Sequence, residues 1–228
     1  PLIACACCVH SRVYCTGEYY LTSKELELLT HYSTDIAKPS DEQVATKAPL
    51  QVIVELGAGD GHKTMLLLEA LCPNASRTIY APIDVSAEAL HSNVAVKQCS
   101  GTAATAGAAW MSSLETTPLI GRFEECLPQA AGMGGSRVFL FLGSSLGNFS
   151  DDESVELMSL VARQMESCSR DRFLVGVDLP HSARKPAKIV SDAYNDARGV
   201  TAAFTLNALR HVNGLAGLNF DWRSGWRH

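Results

Sequence analysis

Two places in this 228-residue chain hold residue types whose spacing could do chemistry. The first is Glu55-Leu56-Gly57-Ala58-Gly59-Asp60-Gly61, which follows a β-branched run. Alternating glycines let the backbone turn tightly and approach a ligand where a larger residue would clash. The spacing is G-x-G-x-G. A dinucleotide fingerprint requires G-x-G-x-x-G, and His62 stands at its last position, which disfavours a nicotinamide oxidoreductase. A plain glycine turn is the other reading of the loop. The second place is Asp84, at the end of Thr78-Ile79-Tyr80-Ala81-Pro82-Ile83. At the carboxyl end of a strand in an open α/β sheet, a carboxylate can accept both hydroxyls of a ribose. It can also cap the helix expected from Ser86, and its acceptor sites allow both roles at once.

These residues need elements to hold them. Gln51-Val52-Ile53-Val54-Glu55-Leu56 reads as a buried strand, and Met65, Leu66, Leu68 and Leu71 give the next segment one apolar helical face. Residues 78–83 read as a second strand, 118–120 as a third, 138–142 as a fourth and 173–177 as a fifth, with a helix over 151–167 between the last two. Upstream, Thr22 is expected to N-cap a helix, with Glu25 completing a capping box. Pro39-Ser40-Asp41 ends that helix, and a polar linker runs to Pro49. Residues 100–111 read mainly as loop. Downstream, 186–196 and 200–214 read as helices joined at Gly199, and Asn219-Phe220-Asp221-Trp222 as the lead-in to a further strand. Alternating strands and helices predict an α/β fold with a doubly wound parallel sheet. A G-x-G-x-G loop with a leading acid is the usual loop of S-adenosylmethionine (SAM) methyltransferases. It offers no pyrophosphate cradle, and SAM carries no phosphate.

Further motifs occur in a fixed order: Glu18-Tyr19-Tyr20-Leu21-Thr22, Lys63-Thr64, Pro82-Ile83-Asp84-Val85-Ser86, Phe141-Leu142-Gly143-Ser144-Ser145-Leu146-Gly147-Asn148-Phe149, Ala193-Tyr194-Asn195-Asp196 and Gly199-Val200-Thr201-Ala202-Ala203-Phe204. With the glycine loop, they resemble the histidine-specific SAM-dependent methyltransferase family over nearly everything from about residue 18 to residue 221. That family includes the histidine Nα-methyltransferases of ergothioneine biosynthesis, the methyltransferase module of ovothiol synthases, and fungal enzymes that methylate dimethylallyltryptophan. The resemblance implies a Rossmann-like SAM-binding domain over residues 20–178. It also implies a small, incomplete substrate-binding annex from 1–19 and 179–228.

Residue by residue, the resemblance puts Gly57 and Lys63 on the methionine side of SAM, with Ala58, Gly59, Gly143 and Ser144 also among the cofactor contacts. Asp84, with Val85 beside it, falls on the ribose, and Arg122 and Phe123 beside the adenine. Family members usually carry Asp-Phe at that last pair, so Arg122 departs from the pattern and removes an acceptor for the adenine amino group. Tyr19, Gly143, Asn148 and Tyr194 match substrate-binding positions, and Tyr19 and Asn148 are the candidate catalytic residues. Plainer roles stand beside these: Tyr19 packing at a domain edge, Asn148 in an Asx turn, Tyr194 in a core. The implied reaction is methyl transfer from a sulfonium to the α-amino group of histidine or a related amino acid. It requires a positioned, unprotonated amine and no metal.

Composition sets the outer limits. Hydrophobic residues make up 46% and charged residues 19%, which is globular. A net charge of −5 without a basic face argues against a nucleic-acid partner. No apolar run approaches the roughly 20 residues of a membrane span. No basic leader precedes residue 5, so a cytoplasmic monomer acting on a small-molecule amino acid is expected. Cys5, Cys7, Cys8, His10 and Cys15 fit no common zinc spacing, and Cys72, Cys99, Cys126 and Cys168 read as small buried thiols. The chain starts at Pro1 and stops at His228. The family continues past the Trp222 region, supplying a carboxylate for the substrate imidazole and the last strands. A five-stranded sheet with an unprotected edge is therefore expected. The alternative reading is a catalytically impaired SAM-fold fragment, or a methyltransferase for a thiolated histidine or a tryptophan derivative.

Overall fold

Strand β1 (Gln51–Leu56) is buried at every residue, because parallel strands flank it on both sides and helices cover both faces. It belongs to a computed structural model that describes residues 17–38, 48–59, 61–100, 109–165 and 170–226; of residues 95–100 and 109 the backbone alone is described. The cysteines from Cys5 to Cys15, the linker beginning at Pro39, Cys168 and the side chain of Cys99 lie outside that description. The other strands are β2 (Thr78–Asp84), β3 (Leu114–Thr116), β4 (Leu119–Ile120), β5 (Ser136–Phe141) and β6 (Arg172–Val175). The helices are α1 (Tyr20–Ala37), α2 (Thr64–Leu71), α3 (Ala87–Ser100), α4 (Phe123–Ala131), α5 (Asp151–Met165), α6 (Ala187–Tyr194) and α7 (Val200–Ala216).

The strand order is β3-β2-β1-β5-β6, with β4 also on β2, and every pairing is parallel. Alternate side chains of one strand therefore feed opposite cores. Val52, Val54 and Leu56 join Phe139 and Phe141 against Leu127 of α4 and Val161 of α5. Ile53 joins Tyr80, Val138 and Leu140 against Leu67, Leu68 and Leu71 of α2 and Leu29 of α1. Cys72 and Cys126 are the expected buried thiols, and burial pushes the Cys72 thiol up to about 11. From β1 the chain winds outward through β2 to β4, then α4 returns it to β5 on the other flank of β1. The winding reverses between β1 and β5, where open α/β sheets open a crevice at the strands' carboxyl ends.

Several local expectations are corrected. The third strand is two short ones, so among the described residues the sheet has six strands rather than five. Pro118, expected within the strand, lies between them and has no N–H for the ladder, while Thr117 donates to the Tyr80 carbonyl at 2.8 Å. The last strand ends at Val175 instead of residue 177. Helix α1 starts at Tyr20, so Thr22 lies inside it and not at its N-cap; the Thr22 hydroxyl is buried without a hydrogen-bond partner. Residues 219–222 form no strand. The Asn213 side chain donates to the Phe220 carbonyl (2.9 Å) and accepts from its amide (2.8 Å), and the Asp221 carboxylate takes the amides of Arg223 and Ser224.

The chain divides into two compact units. Glu25–Asp178 carries the sheet, and the residues up to Lys24 form the second unit together with Leu179–His228. In the second unit Gly199 (φ 68°) breaks the chain between α6 and α7. The buried Asp196 carboxylate accepts the first two amides of α7, from Val200 (3.0 Å) and Thr201 (2.7 Å). Among the described residues, no helix is long and apolar enough to cross a membrane.

Candidate functional site

The backbone leaves β1 through Gly57 (φ 66°), Gly59 (φ 51°) and Gly61 (φ 73°), in a region that strains any residue with a Cβ. The Gly57 and Ala58 amides both donate to the Ile83 carbonyl (2.9 and 3.1 Å), which ties the loop to the end of β2. The Gly59 amide donates to one Asp84 oxygen at 3.2 Å, and the Ser86 amide to the other at 2.9 Å. A Cβ on Gly57 or Gly59 would meet nothing within 4 Å, so these two glycines face open space that a ligand can use. A Cβ on Gly61 would lie 2.5 Å from the Asn93 amide nitrogen, so this glycine serves close packing. The Ser86 hydroxyl accepts the Ala89 amide at 3.1 Å and is the N-cap of α3. The capping role weighed for Asp84 thus belongs to Ser86, and Asp84 only orders the turn before it.

A buried polar network carries the loop from below. Glu55, 4% exposed, accepts hydrogen bonds from the hydroxyls of Thr64 (2.5 Å) and Tyr80. The Asn93 amide reaches the carbonyls of Ala58 (3.4 Å) and Gly59 (3.3 Å) and the Tyr80 oxygen (3.3 Å). Burial, then the Glu55 charge beside it, holds the Tyr80 phenol well above its usual value, so it remains a donor. Satisfied networks of this kind stiffen what they support. Sequence reading missed Asn93 and saw in Glu55 only the loop's leading acid. For Glu55, a carboxylate inside a fully buried strand was the available signal.

Lys63 stands just before α2, and its ammonium pairs with Glu25 of α1 at 2.5 Å. The other Glu25 oxygen accepts the Gly143 amide at 2.7 Å. Gly143 (φ 80°) and Ser144 (φ 57°) turn the chain sharply after β5, and Ser144 alone among the described non-glycine residues has a positive φ. Its hydroxyl accepts the Asp178 amide at 2.6 Å, which helps to hold this unfavourable conformation. Residues 145–148 then form a single 3₁₀ turn that leaves Asn148 exposed.

At the far side of Asp84, the Gly121 amide donates to the Asp84 carbonyl at 3.1 Å and brings the 121–123 turn alongside β2. Arg122 is exposed, whereas the Phe123 ring meets Phe141 edge-on at 6.1 Å and packs on the core. Val85, 72% exposed, projects outward next to Asp84. The loop, Lys63, Asp84 and the 143–148 turn therefore share the carboxyl end of one sheet, around the β1/β5 reversal. In the second unit the rings of Tyr19 and Tyr194 meet edge to face at 5.8 Å. Tyr194 is 47% exposed, which removes the plain core role weighed for it. The first unit thus offers acceptors for a diol at Asp84 and a cation for a carboxylate at Lys63. The second offers an aromatic pair with hydroxyls.

Comparison with known proteins gives the arrangement its context. The family model for SAM-dependent, histidine-specific methyltransferases matches residues 9–228. A histidine N-alpha-methyltransferase from Mycobacterium tuberculosis is 35% identical over 204 residues, covering 90% of this chain and 56% of the relative. One from Mycolicibacterium smegmatis is 33% identical, with the same coverage of 90% and 56%. Ergothioneine biosynthesis protein 1 of Neurospora crassa is 31% identical over 227 residues, covering 93% of this chain and 22% of the relative. The chain spans about half the length, or less, of these curated relatives.

Proposed function

The chain belongs to the histidine-specific, SAM-dependent methyltransferase family, and from that premise we propose that it methylates the α-amino group of histidine or a closely related amino acid. One observation carries the reading. Glycines facing open space adjoin a carboxylate with spare acceptor capacity, at the point where the sheet reverses its winding. The residues present fit SAM. Asp84 would take the ribose hydroxyls and Lys63 the methionine carboxylate. Gly57, Ala58 and Gly59 would admit the cofactor close to the backbone, and Gly143 and Ser144 would bound its methionine end. Val85 and Phe123 would flank the nucleoside. Arg122 leaves the adenine amino group without the acidic acceptor usual in the family. When bound, SAM supplies an already activated methyl group.

The protein's own task is to bind and orient the amine and to keep it unprotonated. A free α-amine titrates near pH ~8, so it is mostly charged at neutral pH. Partial burial disfavours the charged form. Asn148 is the candidate to orient the amine, and Tyr19 to direct its lone pair by hydrogen bonding. Tyr194, ring to ring with Tyr19, is the candidate for the substrate carboxylate. A net charge of −5 supports a free amino acid rather than a nucleic acid as substrate, and the reading carries with it a cytoplasmic monomer.

The roles are tested by a split between turnover and cofactor binding. Tyr19→Phe and Asn148→Ala each lower kcat by about tenfold or more, as loss of one orienting hydrogen bond requires. Binding of S-adenosylhomocysteine, the demethylated cofactor, stays within about twofold of wild type. Equal loss of both quantities would remove these two residues from the substrate side.

A further inference from the structure

We propose that Glu25 is a positioning residue of the cofactor site, whose carboxylate fixes the Lys63 ammonium where it receives the methionine part of SAM and, through the Gly143 amide, holds the turn after β5 beside it. The inference rests on the SAM reading above. Glu25 does not do what its sequence context implies: α1 begins at Tyr20, so Glu25 caps no helix end and its carboxylate is directed elsewhere. One oxygen accepts from Lys63 at 2.5 Å and the other from the Gly143 amide at 2.7 Å, across 38 and 118 residues of sequence. One side chain of α1 thereby ties the segment after the glycine loop to the turn after β5, across the β1/β5 reversal.

The surroundings are built for this carboxylate. A Cβ on Gly176, just beyond β6, would lie 2.4 Å from the Glu25 oxygen. Gly176 has no positive φ, so its missing side chain makes room for Glu25 and answers no backbone demand. The side chains of Lys63 and Glu25 are 24% and 15% exposed, too enclosed for the pair to be ordinary surface decoration. A lysine on its flexible stem loses much rotamer freedom when it binds a ligand, and Glu25 imposes that loss beforehand. An ammonium has three donors, so Lys63 keeps hydrogens for a ligand carboxylate while paired. The pair adds no net charge, which suits a methionine part that is itself a zwitterion.

The test is S-adenosylhomocysteine binding by calorimetry to wild type, Glu25→Gln, Lys63→Met, the double variant and Gly176→Ala. Methylthioadenosine, which lacks the amino-acid part, is the control ligand. Glu25→Gln and Gly176→Ala are each expected to weaken S-adenosylhomocysteine binding about tenfold, the size of one charge-assisted contact. Methylthioadenosine binding is expected to stay within about twofold, and Glu25→Gln to cost nothing further in the Lys63→Met background. Unchanged or tighter binding in both Glu25→Gln and Gly176→Ala would overturn the inference. So would losses that multiply in the double variant, or equal losses for both ligands, which would mark a merely structural role. Should Glu25→Gln fail to fold, Gly176→Ala decides; failure of both to fold would assign the carboxylate to folding and overturn the inference. A wild type that binds no S-adenosylhomocysteine contradicts the SAM reading itself and takes the inference with it. Normal wild-type binding beside silent variants contradicts the inference alone.

Discussion

Asp84 is the residue on which cofactor recognition turns. Its two oxygens already accept the Gly59 and Ser86 amides, and each retains a further acceptor site for a ribose hydroxyl. Hydrogen bonds to a charged group are worth ~1.5–3 kcal/mol each. Asp84→Asn is thus expected to weaken S-adenosylhomocysteine binding by about ten- to a hundredfold while the melting temperature stays within about 3 °C. Calorimetry beside a thermal melt checks both, and unchanged affinity would take the ribose away from Asp84. Asp84 and the glycines were legible in the sequence, because their signal is local spacing after a strand. Glu25 and Asn93 were not. Their partners lie up to 118 and 35 residues away, and only the folded sheet brings them together. Local reasoning gave Glu25 a capping box, a contact three residues back in place of one across the sheet.

Among the elements, α7 shows how a helix start is set by a residue outside it. Gly199 takes the left-handed conformation, and Asp196 reaches over it to the amides of Val200 and Thr201. Burial raises the Asp196 carboxyl, but those amide hydrogen bonds outweigh it and hold the group down at about 2. A carboxyl depressed in the folded state stabilises the fold above its unfolded value, the ordinary 3.8, and loses that contribution as pH falls through about 2. Asp196→Ala should therefore lower stability at pH 7 by on the order of 1 kcal/mol, as loss of a cap does. The gap to wild type should narrow as the pH falls from about 4 toward 2, which paired thermal melts across that range would register. A gap of constant size would mean that Asp196 acts through packing. The helices on both sides of Gly199 were readable because glycine punctuation and apolar spacing agree there. The divided third strand was not, because three- and two-residue strands carry too little periodicity, and Pro118 reads equally well as a strand start or a break.

At the scale of the whole molecule, the doubly wound sheet followed from short apolar runs alternating with helical ones. Strand order fixes the place where chemistry can occur: the reversal between β1 and β5 sets the glycine loop, Lys63, Asp84 and the 143–148 turn around one crevice. Within the second unit, the Tyr19–Tyr194 pair was legible only through motif resemblance, because a tyrosine reads first as packing, Tyr19 at a domain edge and Tyr194 in a core. Methyl transfer joins cofactor and substrate in one reaction, and mass spectrometry of histidine incubated with the chain and methyl-labelled SAM reads that transfer itself. Label is expected on the histidine α-amine, with one S-adenosylhomocysteine formed per methyl transferred. Tight S-adenosylhomocysteine binding with no label on histidine would contradict the proposed histidine methylation.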